Sequence, residues 1–314
     1  MTQPTRTGAR SGRVARSAVK EQNLLALGMV SPTLVVLALV VFYPLVAAIR
    51  ESFYTSGGLD ADGFIVEGEV FTGFANYAGV IGDRFLNATL NTTLFTVVTV
   101  SLEIVLGTAM ALVMHRAFRG RALLRASILI PWAVPTAVSG LMWKWIFQAD
   151  GVANTLLGTD ILWTADGVWA KLAVVIADVW KTSPFVGLLV LAGLQIIPAE
   201  VHEAARVDGA TAAQRFWRIT LPLVKPAMLV AVLFRLMDAL RVFDLPYVLI
   251  GPRKESVETL SGLIWDEATR VNYGPASAYG TALFVYIALI AFVFVKLLGA
   301  DLLSDVRARK KGGA

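Results

Sequence analysis

Six runs of about 20 apolar residues, each nearly free of charge, constrain this chain more than any other feature. They are approximately Leu24–Ile49, Leu94–Met114, Ala126–Phe147, Trp169–Leu194, Pro226–Ile250 and Ser277–Leu298. A run of roughly 20 apolar residues is long enough to cross a ~30 Å hydrocarbon layer as a helix. The expected fold is therefore an all-α membrane protein, a polytopic bundle of six transmembrane helices. Charged residues make up only 16% of the 314, against about 25% in soluble domains. Mean hydropathy is +0.67. The first run follows a basic stretch, as a signal peptide does, but its apolar part is too long for a cleaved one, so a retained anchor is expected.

Charge distribution orients the bundle, because cytoplasmic loops carry an excess of Lys and Arg. Arg6, Arg10, Arg13, Arg16 and Lys20 precede the first span. Arg116, Arg119, Arg121 and Arg125 lie between the second and third, and Arg206, Arg215, Arg218 and Lys225 between the fourth and fifth. Arg307, Arg309, Lys310 and Lys311 follow the sixth. The alternate loops hold only Arg50, Arg84, Arg253, Lys254 and Arg270. The basic side is thus expected to be cytoplasmic, with both termini inside a bacterial inner membrane. This reading gives a basic tail over 1–23, a transmembrane domain over 24–300 containing a long cytoplasmic loop at 198–226, and a C-terminal tail over 301–314. The net charge of +5 then reflects topology and not nucleic-acid binding.

Several chemistries are excluded or left without support. The chain has no cysteine, so disulfides, thiolate zinc sites and cysteine nucleophiles are ruled out. His115 and His202 alone offer little to a metal. No catalytic constellation stands out. Asn87-Ala88-Thr89 and Asn91-Thr92-Thr93 match the glycosylation sequon, a pattern common by chance.

The 198–226 loop reads as two short helices and a turn. Pro198 suits a helix start, with Glu200 near the positive end of the dipole. Asp208-Gly209 stops that helix, because Gly tolerates the left-handed conformation. Thr211-Ala212-Ala213-Gln214 has capping-box spacing and restarts one. Pro222 and Pro226 mark the return into the membrane. On these grounds alone the loop could be an ordinary connector.

Its residues, however, resemble a family signature. Permeases of bacterial ABC importers carry Glu-Ala-Ala, three residues, Gly, nine residues, Ile, one residue, Leu-Pro. Glu203, Ala204, Ala205, Gly209, Ile219, Leu221 and Pro222 fit that spacing without a gap. Asp208, Ala210 and Phe216 are similar to the sugar branch, the maltose/trehalose type, as are Phe71, Gly73, Phe74, Asn76 and Tyr77 before the second span. So are Val179-Trp180-Lys181-Thr182, Pro184 and Phe185, and the run of Phe234, Arg235, Asp238, Ala239, Arg241, Phe243 and Asp244.

The resemblance implies that the loop is a cytoplasmic coupling loop docking on an ATPase subunit, with Glu203 touching the ATPase and Gly209 permitting the turn. It implies a sugar substrate, such as the disaccharides trehalose or maltose, delivered by an extracytoplasmic binding protein. It also implies a second permease forming a heterodimer and two ATPase subunits. This chain has no G-x-x-x-x-G-K-[ST], so ATP and Mg belong on the partner, and no cofactor is expected here.

Charges inside spans are costly and face a partner or a water-filled path. Asp178 and Lys181 stand three apart in the fourth span. Arg235, Asp238, Arg241 and Asp244 stand three apart in the fifth. They read either as a structural ladder or as part of a sugar path. Glu103 is a lone acid in the second span, suited to helix packing. Trp132, Trp143, Trp145, Trp163 and Trp169 read as an interfacial belt, with a sugar-stacking platform as the alternative. Two other classes compete with the importer. An ion-coupled secondary transporter would use these charges as a relay, but it would leave the loop signature unexplained and calls for inverted repeats that are not evident. An intramembrane enzyme lacks a catalytic motif.

Overall fold

The computed structural model describes residues 25–56 and 68–311, with side chains as far as 297. The basic tail at 1–23 and the side chains of Arg307, Arg309, Lys310 and Lys311 lie outside that description. The chain divides into two units. The first holds helix α1, Leu25–Glu51, which contains a π-helical stretch at Ala38–Phe42.

The second unit begins with a small antiparallel pair, β1 (Tyr54–Ser56) and β2 (Glu69–Phe71). Helices α2 (Asp83–His115), α3 (Arg121–Ala133), α4 (Thr136–Ile146), α5 (Val152–Leu157) and α6 (Val168–Gln195) follow. Then come α7 (Ala199–Val207), α8 (Ala212–Ala239), α9 (Asp244–Leu249), α10 (Leu260–Thr269) and α11 (Tyr273–Lys311). Five helices of the described residues are long and apolar enough to cross a membrane, or six where the bent pair α3 and α4 counts as one span.

Helix α6 is the buried centre, with α2, α3 and α8 packed on it. Lipid does not drive helices together by hydrophobicity, so close packing rests on small residues. A Cβ added to Gly107 of α2 would sit 2.8 Å from the Val186 Cβ and 2.9 Å from the Gly187 backbone nitrogen of α6. One added to Gly193 would sit 2.5 Å from the Ala227 Cβ of α8. These contacts leave no room for a larger side chain.

Two spans differ from the sequence expectation. The run at Ala126–Phe147 is bent by 93° between α3 and α4. Val134 is extended (φ −72°, ψ 133°) because it precedes Pro135, and a residue before proline is pushed out of the helical region. The run at Pro226–Ile250 ends as a helix at Ala239. A continuous helix would need the missing Pro246 N–H and would clash with the Val242 carbonyl. The helix instead restarts at Asp244, placing Pro246 in its first turn. The freed Val242 carbonyl accepts a hydrogen bond from Thr259 Oγ1 at 2.8 Å.

At its other end α8 starts earlier than expected. The second loop helix does not stop at Pro222. It continues into the span through a π-helical stretch, Phe216–Thr220, in which the Leu221 N–H bonds the Phe216 carbonyl. The i→i+5 bonding absorbs the proline without breaking the rod.

The end of the bundle remote from this loop is fastened by polar groups. Arg84 of α2 bonds Glu258 at 2.6 Å and Asp266 at 2.6 Å, and Asp266 also takes Arg253 at 2.7 Å and Arg270 at 3.0 Å. Burial pushes the Asp266 carboxyl up, but the Arg84 and Arg253 guanidiniums outweigh it and hold the group below the usual carboxylate range. The Ser256 hydroxyl and N–H, both bonded to Asp166, likewise hold that carboxyl down. Both sequon asparagines serve packing here: Asn87 and Asn91 donate to the Glu255 carbonyl at 2.8 and 2.9 Å. Asn76 donates to the Ser52 and Tyr54 carbonyls at 2.9 and 2.7 Å, so that sequence pattern ties β1 to the turn before α2.

Candidate functional site: a charged cavity and a coupling loop

All six charged residues singled out in the fourth and fifth spans, Asp178, Lys181, Arg235, Asp238, Arg241 and Asp244, line one cavity of about 120 Å³. They do not form a helical ladder. Arg235 and Asp238 belong to α8, Arg241 lies in the break, and Asp244 opens α9. The break returns the last two toward the first two.

Arg235 is the hub. It is 3% exposed. Its Nε donates to Glu103 Oε2 at 2.5 Å, and Nη2 donates to Glu103 Oε1 at 2.9 Å and Asp178 Oδ2 at 2.8 Å. Nη1 donates to Asp238 Oδ2 at 2.5 Å. The planar fork of a guanidinium meets a carboxylate through two parallel bonds, and Glu103 is held that way. Glu103 is therefore not a lone acid; its partner lies on another helix. Thr182 Oγ1 sits 2.6 Å from Glu103 Oε1 and 2.6 Å from the Asp178 carbonyl, so its one proton serves one of them at a time.

Lys181 does not bond Asp178 directly. Its Nζ donates to the Val134 carbonyl at 2.7 Å and approaches the Trp132 carbonyl at 3.5 Å. These carbonyls are orphaned where α3 stops. A helix end buried without such partners would be costly, so Lys181 caps the 93° corner. Asp178, Lys181 and Arg235 are buried, whereas Asp238, Arg241 and Asp244 are exposed, the Asp238 side chain by 65%.

Beside this cavity lies a larger one of about 410 Å³, lined by Trp132, Thr182, Phe185, Phe234, Asp238 and Arg241 among others. Trp132 and Phe185 stack at 5.7 Å with an interplanar angle of 23°. Sequence reading missed Phe234 as a cavity wall, its only signal being its place beside Arg235 in the charged run, whereas Trp132 was among the tryptophans weighed as a sugar-stacking platform. The tryptophan belt also divides. Trp132, Trp145 and Trp169 are exposed, whereas Trp163 is buried. Trp163 stacks on Phe147 at 5.0 Å and donates Nε1–H to Asn154 Oδ1 at 2.9 Å.

The loop forms from its own sequence. Helix α7 ends in a Schellman arrangement, with the Ala210 N–H bonding the Ala205 carbonyl at 2.9 Å and the Gly209 N–H bonding the Arg206 carbonyl at 3.1 Å. Gly209 has φ +78°, and nothing lies within 4 Å of an added Cβ. The demand for glycine there is conformational and not spatial. Thr211 and Gln214 close a full capping box, and Arg215 Nη1 donates to the Ala210 carbonyl at 2.7 Å. Ala205 is buried, while Ile219 and Leu221 are half-buried. Glu203, Ala204, Asp208 and Pro222 are exposed, as are the apolar Val207 (89%) and Trp217 (65%).

Residues 103–305 match the family described as binding-protein-dependent transport system inner membrane component. Curated relatives are similar over nearly the whole chain. A trehalose/maltose transport system permease protein (MalF) of Thermococcus litoralis is 39% identical, covering 86% of this chain and 92% of the relative. A sulfoquinovosyl glycerol transport system permease protein (SmoG) of Agrobacterium fabrum is 35% identical, covering 88% and 91%. A trehalose transport system permease protein (SugA) of Mycobacterium tuberculosis is 38% identical, covering 89% and 90%. Among solved structures, a chain of a bacterial alginate ABC transporter, in complex with an alginate pentasaccharide-bound periplasmic protein, has the same fold. Its TM-score is 0.72 at 20% identity, covering 88% of this chain and 93% of that one. With its membrane helices, its loop signature and these relatives, the chain belongs to the binding-protein-dependent transport system inner membrane components, and it is a transport permease and not an enzyme.

Proposed function

We propose that this permease is one of two membrane-spanning subunits of an ATP-driven importer for a sugar, a disaccharide such as trehalose or maltose. A binding protein delivers the sugar outside. A second permease completes a heterodimer, and two ATPase subunits bind ATP and Mg. The coupling loop, with Glu203 and the exposed Val207 and Trp217, faces the ATPase, so both termini are cytoplasmic. Asp178, Lys181, Arg235, Asp238, Arg241 and Asp244 border the sugar path, with Asp238 and Arg241 nearest the sugar.

The observation that carries this reading is the 410 Å³ cavity, whose stacked Trp132 and Phe185 sit beside exposed Asp238 and Arg241. Ligand sites pair apolar walls with a few placed polar groups. A pyranose matches that pattern, having C–H faces for the rings and hydroxyls for the charges. The test is uptake of labelled trehalose and maltose by vesicles holding the assembled complex. Uptake should require both ATP and the binding protein. Uptake driven by an ion gradient without ATP would favour the secondary transporter instead.

A further inference from the structure

A third cavity, of about 280 Å³, lies between α9, the loop after it and α10, at the end of the bundle remote from the coupling loop. Its walls include Phe243, Tyr247 and Trp265, whose rings form one continuous surface. The Phe243–Tyr247 centroids are 5.1 Å apart and the Phe243–Trp265 centroids 5.6 Å. Tyr247 and Trp265 are exposed. The rim is charged and fixed in place: Asp266 and Glu258 are both held by Arg84, and Asp266 also by Arg253.

Two further features single out this cavity. Arg253 has φ +57°, a left-handed conformation uncommon outside glycine. Such outliers persist where the surroundings over-determine them, and they cluster at ligand sites. Here the turn brings Arg253 onto Asp266, with Nε donating at 2.7 Å. A guanidinium carries five N–H donors in a fork, so the same side chain can address a ligand hydroxyl. Phe243, moreover, lines both this cavity and the 120 Å³ charged cavity. Phe243 is the lining residue the two share, at the break where α8 gives way to α9.

We infer that this cavity is a second saccharide subsite at the outer mouth of the path. A sugar ring stacks on Trp265 and Tyr247 there, its hydroxyls meeting Arg253, Glu258 and Asp266, before it passes Phe243 to the inner cavity. The inference rests on the proposed import function. Its chemistry is that of a neutral, hydroxyl-rich ring, because the fixed rim offers both donors and acceptors beside an aromatic floor.

The experiment uses the full complex in vesicles with excess binding protein and labelled trehalose or maltose. Trp265→Ala should lower uptake efficiency, maximal rate over half-saturating loaded binding protein, by about two- to tenfold, as expected for one lost ring contact. Trp265→Phe, which keeps a ring, should lose less. Docking of sugar-free binding protein, measured separately, should match the unmodified complex for both. Equal efficiency in Trp265→Ala would overturn the subsite while leaving the import reading intact. Weakened docking in proportion to the lost uptake would overturn it in favour of a protein-docking surface. An unmodified complex that takes up neither sugar would instead defeat the import reading, and the subsite with it.

Discussion

Replacing Arg235 with Met should damage this protein far more than replacing Asp238 with Asn, although the two side chains are bonded to each other. Arg235 compensates Glu103, which is fully buried, and Asp178, which is nearly so. Removing one partner of a buried ion pair typically costs about 3–5 kcal/mol, because the remaining charge stays uncompensated in low dielectric. At ~1.4 kcal/mol per tenfold, that is roughly a hundred- to several-thousand-fold in the ratio of folded to unfolded protein. Asp238 is different. Its side chain is 65% exposed, and Arg235 keeps two carboxylates without it, so Asp238→Asn belongs with exposed pairs worth about 0–1 kcal/mol. A charge-by-charge reading of the sequence, which pairs Asp238 with Arg235 or Arg241 alone, predicts a large effect there. The assay is the fraction of detergent-solubilised protein that stays assembled through a heating series, read by gel filtration. Arg235→Met should fail at the lowest temperatures and Asp238→Asn should follow the parent. Converting Glu103, Asp178 and Arg235 together to Leu, Leu and Met should recover much of the loss, because well-packed apolar residues can replace a buried triad. An Arg235→Met protein as stable as the parent, or an Asp238→Asn protein equally damaged, would refute the assignment of Arg235 as hub.

Gly209→Val forces a β-branched residue to φ +78°, and Glu203→Lys reverses an exposed charge. Both variants should reach the membrane yet lose ATPase co-purification and ATP-dependent uptake; full retention of both would reduce the loop to a connector. Lys181→Met leaves the Val134 carbonyl without its donor, at a cost of about 1–3 kcal/mol. A lower melting temperature of the detergent-solubilised protein should report it, and an unchanged one would count against the capping role. Because the Asp266 carboxyl is held below its usual range, its contribution is fully present above the ordinary Asp pKa of about 3.9 and is lost as pH falls through the lower folded value. Hydrogen-exchange protection in α10, taken relative to the intrinsic exchange rate at each pH, should therefore stay constant from pH 7 down to the ordinary Asp range and fall only below it. Loss of protection near neutral pH would exclude Asp266 as the cause.

The spans, the loop and its two caps were legible because their signals are local. Apolar length, Asp208-Gly209 and Thr211-x-x-Gln214 are each read from contiguous residues, and the structure forms the two loop helices where the sequence places them, while the spans at Ala126–Phe147 and Pro226–Ile250 are broken. What was not legible depends on distance or on competition. Glu103 and Arg235 are 132 residues apart, and nothing along a single chain announces such a pairing. A proline such as Pro246 inside an apolar run marks a possible kink, but whether a helix bends, continues or restarts depends on whether another group takes the freed carbonyl. Thr259 does so for Val242, whereas at Pro222 a π-helical stretch keeps the rod continuous. The same residue type thus ends one helix and leaves another intact.

The continuous rod of α8 has a mechanical consequence. It spans 28 residues, or about 42 Å at ~1.5 Å per residue, with the Gly209 turn at one end and Asp238 at the other. Its Ala227 packs against Gly193 of α6, where an added Cβ would sit 2.5 Å from the Ala227 Cβ, 15 residues from the helix start and 12 from its end. A see-saw pivoting there has arms of about 22 and 18 Å. Pushing the loop end sideways by ~3 Å would swing Asp238 by roughly 2.2 Å and Arg235, nearer the pivot, by roughly 1.6 Å in the opposite sense. The Arg235 displacement is more than half the length of the bonds joining it to Glu103 and Asp178. A swing of that size cannot leave those bonds as they are, so the buried ion cluster acts as the latch that such a lever would have to lift.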